Sequence, residues 1–229
     1  VGALERKGWV VHKPQPPAPY MRFDPARLRG RKRVRLAIAS DLHFGSKFAQ
    51  PTRLREHYRY FKRRGVDAVL VPGDVTDGST KMHPGFEYEL WAHGFDAQRD
   101  AALNGIPDIG VPQFLIDGNH DASHYKAAGA DIVQAICEQR DDLNYLGSGR
   151  AARGATGYLD MGGILIQLCH PHLGMTRQRS YRLETWMERQ QPPRPRLTIM
   201  GNFHKIVEFY DEGRSSWGIL VPSFQSQTN

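Results

Sequence analysis

Cysteine is scarce: two in 229 residues, Cys137 and Cys169, too few for a disulfide framework. No stretch approaches the roughly 18 consecutive apolar residues of a membrane-spanning helix. The first thirty residues hold no apolar leader core, and there is no internal repeat or long low-complexity tract beyond them. These absences exclude secreted disulfide scaffolds, helical membrane proteins and solenoids, and a reducing cytoplasm is the expected setting. Acidic residues are the minority charge, 24 against 31 Lys+Arg, for a net +7. That balance permits a polyanionic partner without identifying one. Hydrophobic residues at 40% and charged residues at 24% are ordinary for one sizeable folded domain.

Composition breaks once near the start. Pro14-Gln15-Pro16-Pro17-Ala18-Pro19 favours extended backbone, and Arg27, Arg29, Arg31, Lys32, Arg33 and Arg35 come after it. Residues 1–32 are therefore expected as a basic, Pro-rich surface arm or linker, and 33–229 as the folded domain. Within the domain, apolar runs expected as strands are Val34–Ala39, Ala68–Val71, Gln113–Ile116, Ile164–Cys169, Leu197–Met200, Ile206–Tyr210 and Gly218–Val221. Helical patterns occupy 52–64, 86–103, 124–137 and 177–190; in the first, Leu54, Tyr58 and Phe61 form one stripe. Alternating strands and helices predict an α/β domain, with the later, more polar strands able to form a second, mixed sheet.

The residues just past the strands carry the chemistry. Successive runs end in Ser40-Asp41-Leu42-His43, Gly73-Asp74, Asp117-Gly118-Asn119-His120-Asp121, His170, and Gly201-Asn202-Phe203-His204. Carboxyl ends of strands form the ligand-binding edge of open α/β sheets, so these groups are candidates to converge. Carboxylate, imidazole and amide oxygen without thiolate suit hard to borderline divalent ions: Mn, Mg, Fe or Zn. Asp74 is placed to bridge two ions, which can clamp a phosphoryl group and acidify a bridging water into a hydroxide nucleophile. A lone Asp-x-His or Gly-Asp is common by chance, and Asp74 alone reads as a turn residue. Fivefold recurrence at strand ends is what sets the pattern apart.

In order and spacing the motifs Asp-x-His, Gly-Asp, Gly-Asn-His-Asp, His and a final His resemble the calcineurin-like metallophosphoesterase superfamily from Asp41 to His204. The resemblance implies a four-layer α/β/β/α sandwich with two mixed sheets and a site for two divalent ions, manganese foremost. It implies that Asp41, His43 and His204 hold one ion, Asn119 and His170 the other, and Asp74 both. It gives His120 the catalytic role of protonating the leaving oxygen or stabilising the transition state, with Asp121 orienting its ring. Asp-Leu-His-Phe-Gly-Ser-Lys, Ser180-Tyr181-Arg182 and Pro222-Ser223-Phe224-Gln225 are similar to a phage and prokaryotic branch, which would place the protein in a host cytoplasm. The Arg that comes after Gly-Asp-x-x-Asp in protein Ser/Thr phosphatases is absent, since Gly78 is next to Asp77.

One position departs from the pattern. The family's Gly-His-x-His is Gly201-Asn202-Phe203-His204, so Asn202 replaces a ligand of the second ion with a weaker amide oxygen. His172 and Arg182 are candidates for substrate contact. His57, His83, His93 and His124 read as surface or packing residues, and Trp91 and Trp186 as core. The run Arg53, Arg55, Arg59, Lys62, Arg63, Arg64 reads as a solvated helix face or, more sharply, a phosphate-binding one. The leading expectation is a metal-dependent phosphodiesterase or nuclease with nucleic acid as partner. The alternatives are a phosphomonoesterase or cyclic-nucleotide phosphodiesterase, and a catalytically degenerate nucleic-acid-binding or assembly subunit.

Overall fold

A computed structural model describes residues 20–23, 33–79, 85–147, 154–174 and 176–226. Its four-stranded sheet has the order β2 (Leu36–Ile38), β3 (Ala68–Pro72), β4 (Gln113–Ile116), β5 (Leu143–Gly147), and every pairing is parallel. The six-stranded sheet is mixed. Its order is β1 (Tyr20–Phe23), β6 (Gly154–Met161), β7 (Ile164–Pro171), β8 (Leu197–Met200), β10 (Ser216–Leu220), β9 (Val207–Asp211). The expected pair of sheets is present, but only this second one is mixed. Crossover connections through helices impose parallel pairing on the first.

Strand β3 shows how the layers arise. Its five residues are all buried, as a strand covered on both faces requires. Val69 and Val71 face one way, packing with Leu54 and Tyr58 of α1 (Pro51–Arg64), Ala102 of α2 (Phe95–Gly105) and Ile132 and Ile136. Ala68 and Leu70 face the other way, joining Phe114, Ile116, Leu159, Ile166, Leu168 and Ile199 between the sheets. Beyond the second sheet, Cys169, Met200 and Leu220 lie under Leu183 and Met187 of α5 (Tyr181–Glu188). The order is therefore helices, sheet, sheet, helix. Both cysteines are free and buried, and no described helix is long and apolar enough to cross a membrane.

Helix boundaries obey local chemistry. Pro51 starts α1, and Gly65, at φ 61°, stops it in the left-handed conformation. The expected helix 86–103 is a 3-10 turn, Phe86–Glu89, and then α2, and Trp91 between them is 58% exposed rather than core. The expected helix 124–137 is two, α3 (Asp121–Ala128) and α4 (Ile132–Cys137), parted at Gly129. Strands β1, β5 and β6 were not expected. Residues Tyr20–Phe23, assigned to a surface arm, instead pair in parallel with β6, and Phe23 meets the Phe114 ring at 5.2 Å. The rest of the 1–32 segment and His83 lie outside the described residues.

Candidate metal centre

The loops after β2 and β3 leave the sheet side by side. The Asp41 and His43 amides donate to the Gly73 and Asp74 carbonyls at 3.1 and 3.0 Å, carrying strand pairing past the strands themselves. That path turns through the left-handed region: φ is 53° at Asp41, 49° at His43, 49° at Asp74, 80° at Asn202 and 50° at His204. Ser215 is the one other described non-glycine residue with positive φ. Backbone strain concentrated on ligand-type residues marks a site held in place by the fold around it.

The side chains converge as the motif order predicts. Asp41, His43 and His204 form one group able to hold a cation, and Asp41, Asp74 and His170 form another. His204 Nε2 stands 3.2 Å from Asp41 Oδ1, and His170 Nε2 stands 3.1 Å from Asp74 Oδ2 and 3.0 Å from Asn119 Oδ1. His43, Asp74 and His120 make an overlapping third group. Asp41 is common to the first two groups, and Asp74 stands between His170 Nε2 at 3.1 Å and His43 Nε2 at 3.8 Å. Gly118 permits this: a Cβ there would sit 1.9 Å from Asp74 Oδ1. Gly73 permits it from the other side, since its Cβ would meet His170 Nδ1 at 2.3 Å.

Charge and satisfaction both favour a cation here. His43 Nε2 is buried, 3.8 Å from Asp74 Oδ2, and has no hydrogen-bond partner among the described residues, while Nδ1 of the same ring meets Asp77 Oδ1 at 2.7 Å. An imidazole anchored through one nitrogen with the other bare is a preformed ligand. Burial would raise the Asp74 carboxyl, but the His170 ring, then those of His120 and His43, hold it well below the usual carboxylate range. Burial likewise opposes charge on His170, yet Asp74 and Asp41 push its pKa up to about 9. Carboxylates facing imidazoles thus draw positive charge into the gap, as a proton or as a metal ion.

A family model, calcineurin-like phosphoesterase, matches residues 34–218. The chain belongs to the calcineurin-like phosphoesterases. It is accordingly a metal-dependent hydrolase of phosphate esters, and the Asp/His clusters are the candidates to hold the divalent metal that the family uses. No curated protein matches the chain. Among solved structures, an archaeal phosphodiesterase is 12% identical over 82% of this chain and 83% of its own, with TM-score 0.47. A dimetal phosphatase from Danio rerio is 10% identical over 84% and 88%, TM-score 0.45. GAP50, the anchor in the inner membrane complex of Plasmodium, is 12% identical over 86% and 75%, TM-score 0.49. Family membership rests on the family model alone.

Two positions of this calcineurin-like chain depart from expectation. Asp121 does not orient the His120 ring. Its carboxylate accepts from the Val75, Thr76 and Gly118 amides and the Thr76 hydroxyl, at 2.7–3.0 Å, tying the loops after β3 and β4 together. Burial and nearby Asp74 still push its pKa up to about 6. The ring is held instead by the Asp77 carbonyl, 2.7 Å from His120 Nδ1, and lies edge-on to His43 at 4.7 Å. Burial works against protonation of His120, and Asp74 and the Asp77 carbonyl outweigh it, so its pKa is raised. Asp77 thus serves a ligand and the expected acid together. It was not among the expected site residues, although its place in Gly-Asp-x-x-Asp marked it.

At the second departure, Asn202 donates its backbone amide to Asp41 Oδ1 at 3.0 Å and its side-chain nitrogen to the Leu173 carbonyl at 2.9 Å. His172 is half-buried, with Nε2 bare among the described residues and its pKa lowered to about 4 by burial and then by the charge of His170. Arg182 is not among the ligand groups; its Nε donates to the Gly174 carbonyl at 3.2 Å, along the segment just after His170. His124 is a packing residue, 4% exposed and edge-on to Phe95.

Proposed function

We propose that the protein is a phosphodiesterase of the phage and prokaryotic type that cleaves nucleic acid at a centre of two divalent ions, manganese foremost. The observation that carries this reading is that Asp74 stands within 3.1 Å of His170 and 3.8 Å of His43, among ligand-type side chains drawn from five strand ends. One ion would be held by Asp41, His43 and His204, the other by Asn119 and His170 with the weaker amide of Asn202, and Asp74 would be shared. When bound, such ions polarise phosphoryl oxygens and lower the pKa of water.

The chain's own residues supply the rest. The Asp77 carbonyl accepts from Nδ1 of His120 and leaves Nε2 to deliver a proton to the departing oxygen. Asp74 and Asp77 favour the charged form of that ring. Asp121 holds the loop that carries it. Support for a polyanionic substrate comes from the net charge of +7 and from α1, where Arg53, Arg55, Arg59, Lys62, Arg63 and Arg64 are all exposed. Arg63 and Arg64 also stand 6.0 and 5.7 Å from the Tyr60 ring centre, a pairing that suits backbone phosphate beside an unpaired base.

The experiment is a Mn-supplied panel of single-stranded DNA, duplex DNA and RNA set beside a phosphomonoester and a cyclic nucleotide. Internal cleavage of a polynucleotide, faster at low salt, is the expected result. Turnover of the monoester or the cyclic nucleotide alone would overturn it. The non-catalytic reading draws on one observation, that the amide of Asn202 is hydrogen-bonded to Leu173. It predicts no turnover even after Asn202→His, whereas the catalytic reading predicts a gain at limiting metal.

A further inference from the structure

Against the outer face of the second sheet lies a cavity of about 460 Å³, within the range of small-ligand sites. Helix α5, the end of β6 and residues 190–195 enclose it. Its lining contains the aromatic side chains Tyr158, Tyr181 and Trp186 and the guanidinium groups of Arg182 and Arg189, with no carboxylate among the lining residues. Flat aromatic rings beside guanidinium groups, in a lining without a carboxylate, fit a ligand that is aromatic and anionic at once.

The floor adds direction. Gln167, 2% exposed, accepts the Trp186 indole N–H at 3.2 Å and donates to the Tyr158 hydroxyl at 2.8 Å. That second bond occupies a lone pair of Tyr158 and leaves its proton without an acceptor among the described residues. Burial raises Tyr158 to about 12, so the hydroxyl keeps that proton at neutral pH and can offer it to a carbonyl or ring nitrogen. An aromatic ring to stack on and a hydroxyl donor lining the same cavity are what a nucleobase needs.

The cavity adjoins the cleft at the metal centre. Leu173 lines it and equally lines the cleft beside Asn202, His204 and Lys205. Arg182 grips Gly174 from one side, and Asn202 grips Leu173 from the other. One short segment therefore forms the wall between the two.

We propose that this cavity binds the base of a nucleotide whose phosphate lies at the metal centre, so that the enzyme selects nucleotidyl diesters over diesters without a base. This rests on the phosphodiesterase reading above. Trp186 and Tyr181 stack on the base, Tyr158 donates to it, and Arg182 and Arg189 neutralise the flanking phosphate.

Two measurements on the full chain test it separately from that reading. In the first, thymidine 5′-p-nitrophenyl phosphate and methyl p-nitrophenyl phosphate are compared with Mn present; they share a leaving group, and a nucleoside in one replaces the methyl group of the other. Trp186→Ala and Tyr158→Phe should each lower the ratio of kcat/KM between the two esters, about tenfold for the stacking residue. An unchanged ratio in both variants overturns the proposal. In the second, thymidine 5′-monophosphate binding is measured by calorimetry in EDTA, where metal cannot contribute. Binding that weakens in Tyr158→Phe, which removes one hydroxyl and leaves the ring in place, supports the proposal. No binding by the unmodified protein overturns it. Binding in EDTA together with no hydrolysis of either ester would mean that the base site stands and the phosphodiesterase reading fails.

Discussion

Replacing Gly118 with Ala puts the organisation of the centre under direct strain. The added Cβ would lie 1.9 Å from Asp74 Oδ1 and 2.3 Å from the Asp74 amide nitrogen. Non-bonded heavy atoms settle near about 3.5 Å, so Asp74 or the loop after β4 has to retreat by roughly 1.5 Å. Neither is free to move. Asp74 Oδ1 accepts the His120 amide at 2.9 Å, and the Gly118 amide donates to Asp121 at 2.8 Å. Overpacking of this kind costs about 1–3 kcal/mol of stability. Displacement of a positioned group by about 1 Å costs on the order of 10²-fold in rate. Urea unfolding, Mn titration and hydrolysis of a nitrophenyl diester should be measured together on Gly118→Ala. Gly213→Ala is the control, because its Cβ meets Asp211 at an ordinary 3.5 Å. The expected result is a protein that folds, binds both ions more weakly and turns over about a hundredfold more slowly. Wild-type metal affinity in Gly118→Ala would refute the placement of Asp74 between the two ligand sets.

Asp77→Asn removes the carboxylate that anchors His43 Nδ1, and metal affinity should fall about 10–100-fold, read by calorimetry, with no matching loss of fold by circular dichroism. His120→Ala should leave metal content near its starting value yet slow esters with poor leaving groups about 10²–10⁴-fold, and nitrophenyl esters much less; equal losses on both would remove His120 from the acid role. His124 supplies a pH test away from the metal. Burial lowers its pKa from 6.5 to about 4, so the folded state favours the neutral ring. Its stabilising contribution is present above pH 6.5 and is lost as pH falls toward 4, on the order of 2 kcal/mol. Urea midpoints taken between pH 7 and 4 should fall less steeply in His124→Asn, and identical slopes would show that His124 does not titrate there.

The candidate ligands were legible because they come just past short apolar runs, and in Ala68–Pro72 and Gln113–Ile116, buried throughout, sequence and environment agree. Strand β6 was not legible. Gly154 and Gly157 are poor strand formers, and Gly157 is required only because a Cβ there would meet Ile116 and Leu146 of the opposing sheet at 2.7 Å. Strand β1 was hidden for a related reason: Tyr20–Phe23 gains its stability from eight-residue β6, not from any pattern of its own. The roles of Asp77 and Asp121 depend on which loop crosses which. Both are acids at the ends of motifs, and only the packed loops show that Asp121 braces the backbone while Asp77 serves the histidines. The convergence of the candidate ligands could thus be read along the chain, and their supporting contacts could not.

Calorimetric titration with Mn of the unmodified protein, Asp74→Asn and Asn119→Ala tests most directly whether one carboxylate organises two ions. The account predicts about two ions per chain in the unmodified protein, the loss or severe weakening of both in Asp74→Asn, and the loss of one in Asn119→Ala. A single ion in the unmodified protein, or an Asp74→Asn variant that loses no more than Asn119→Ala does, would contradict it.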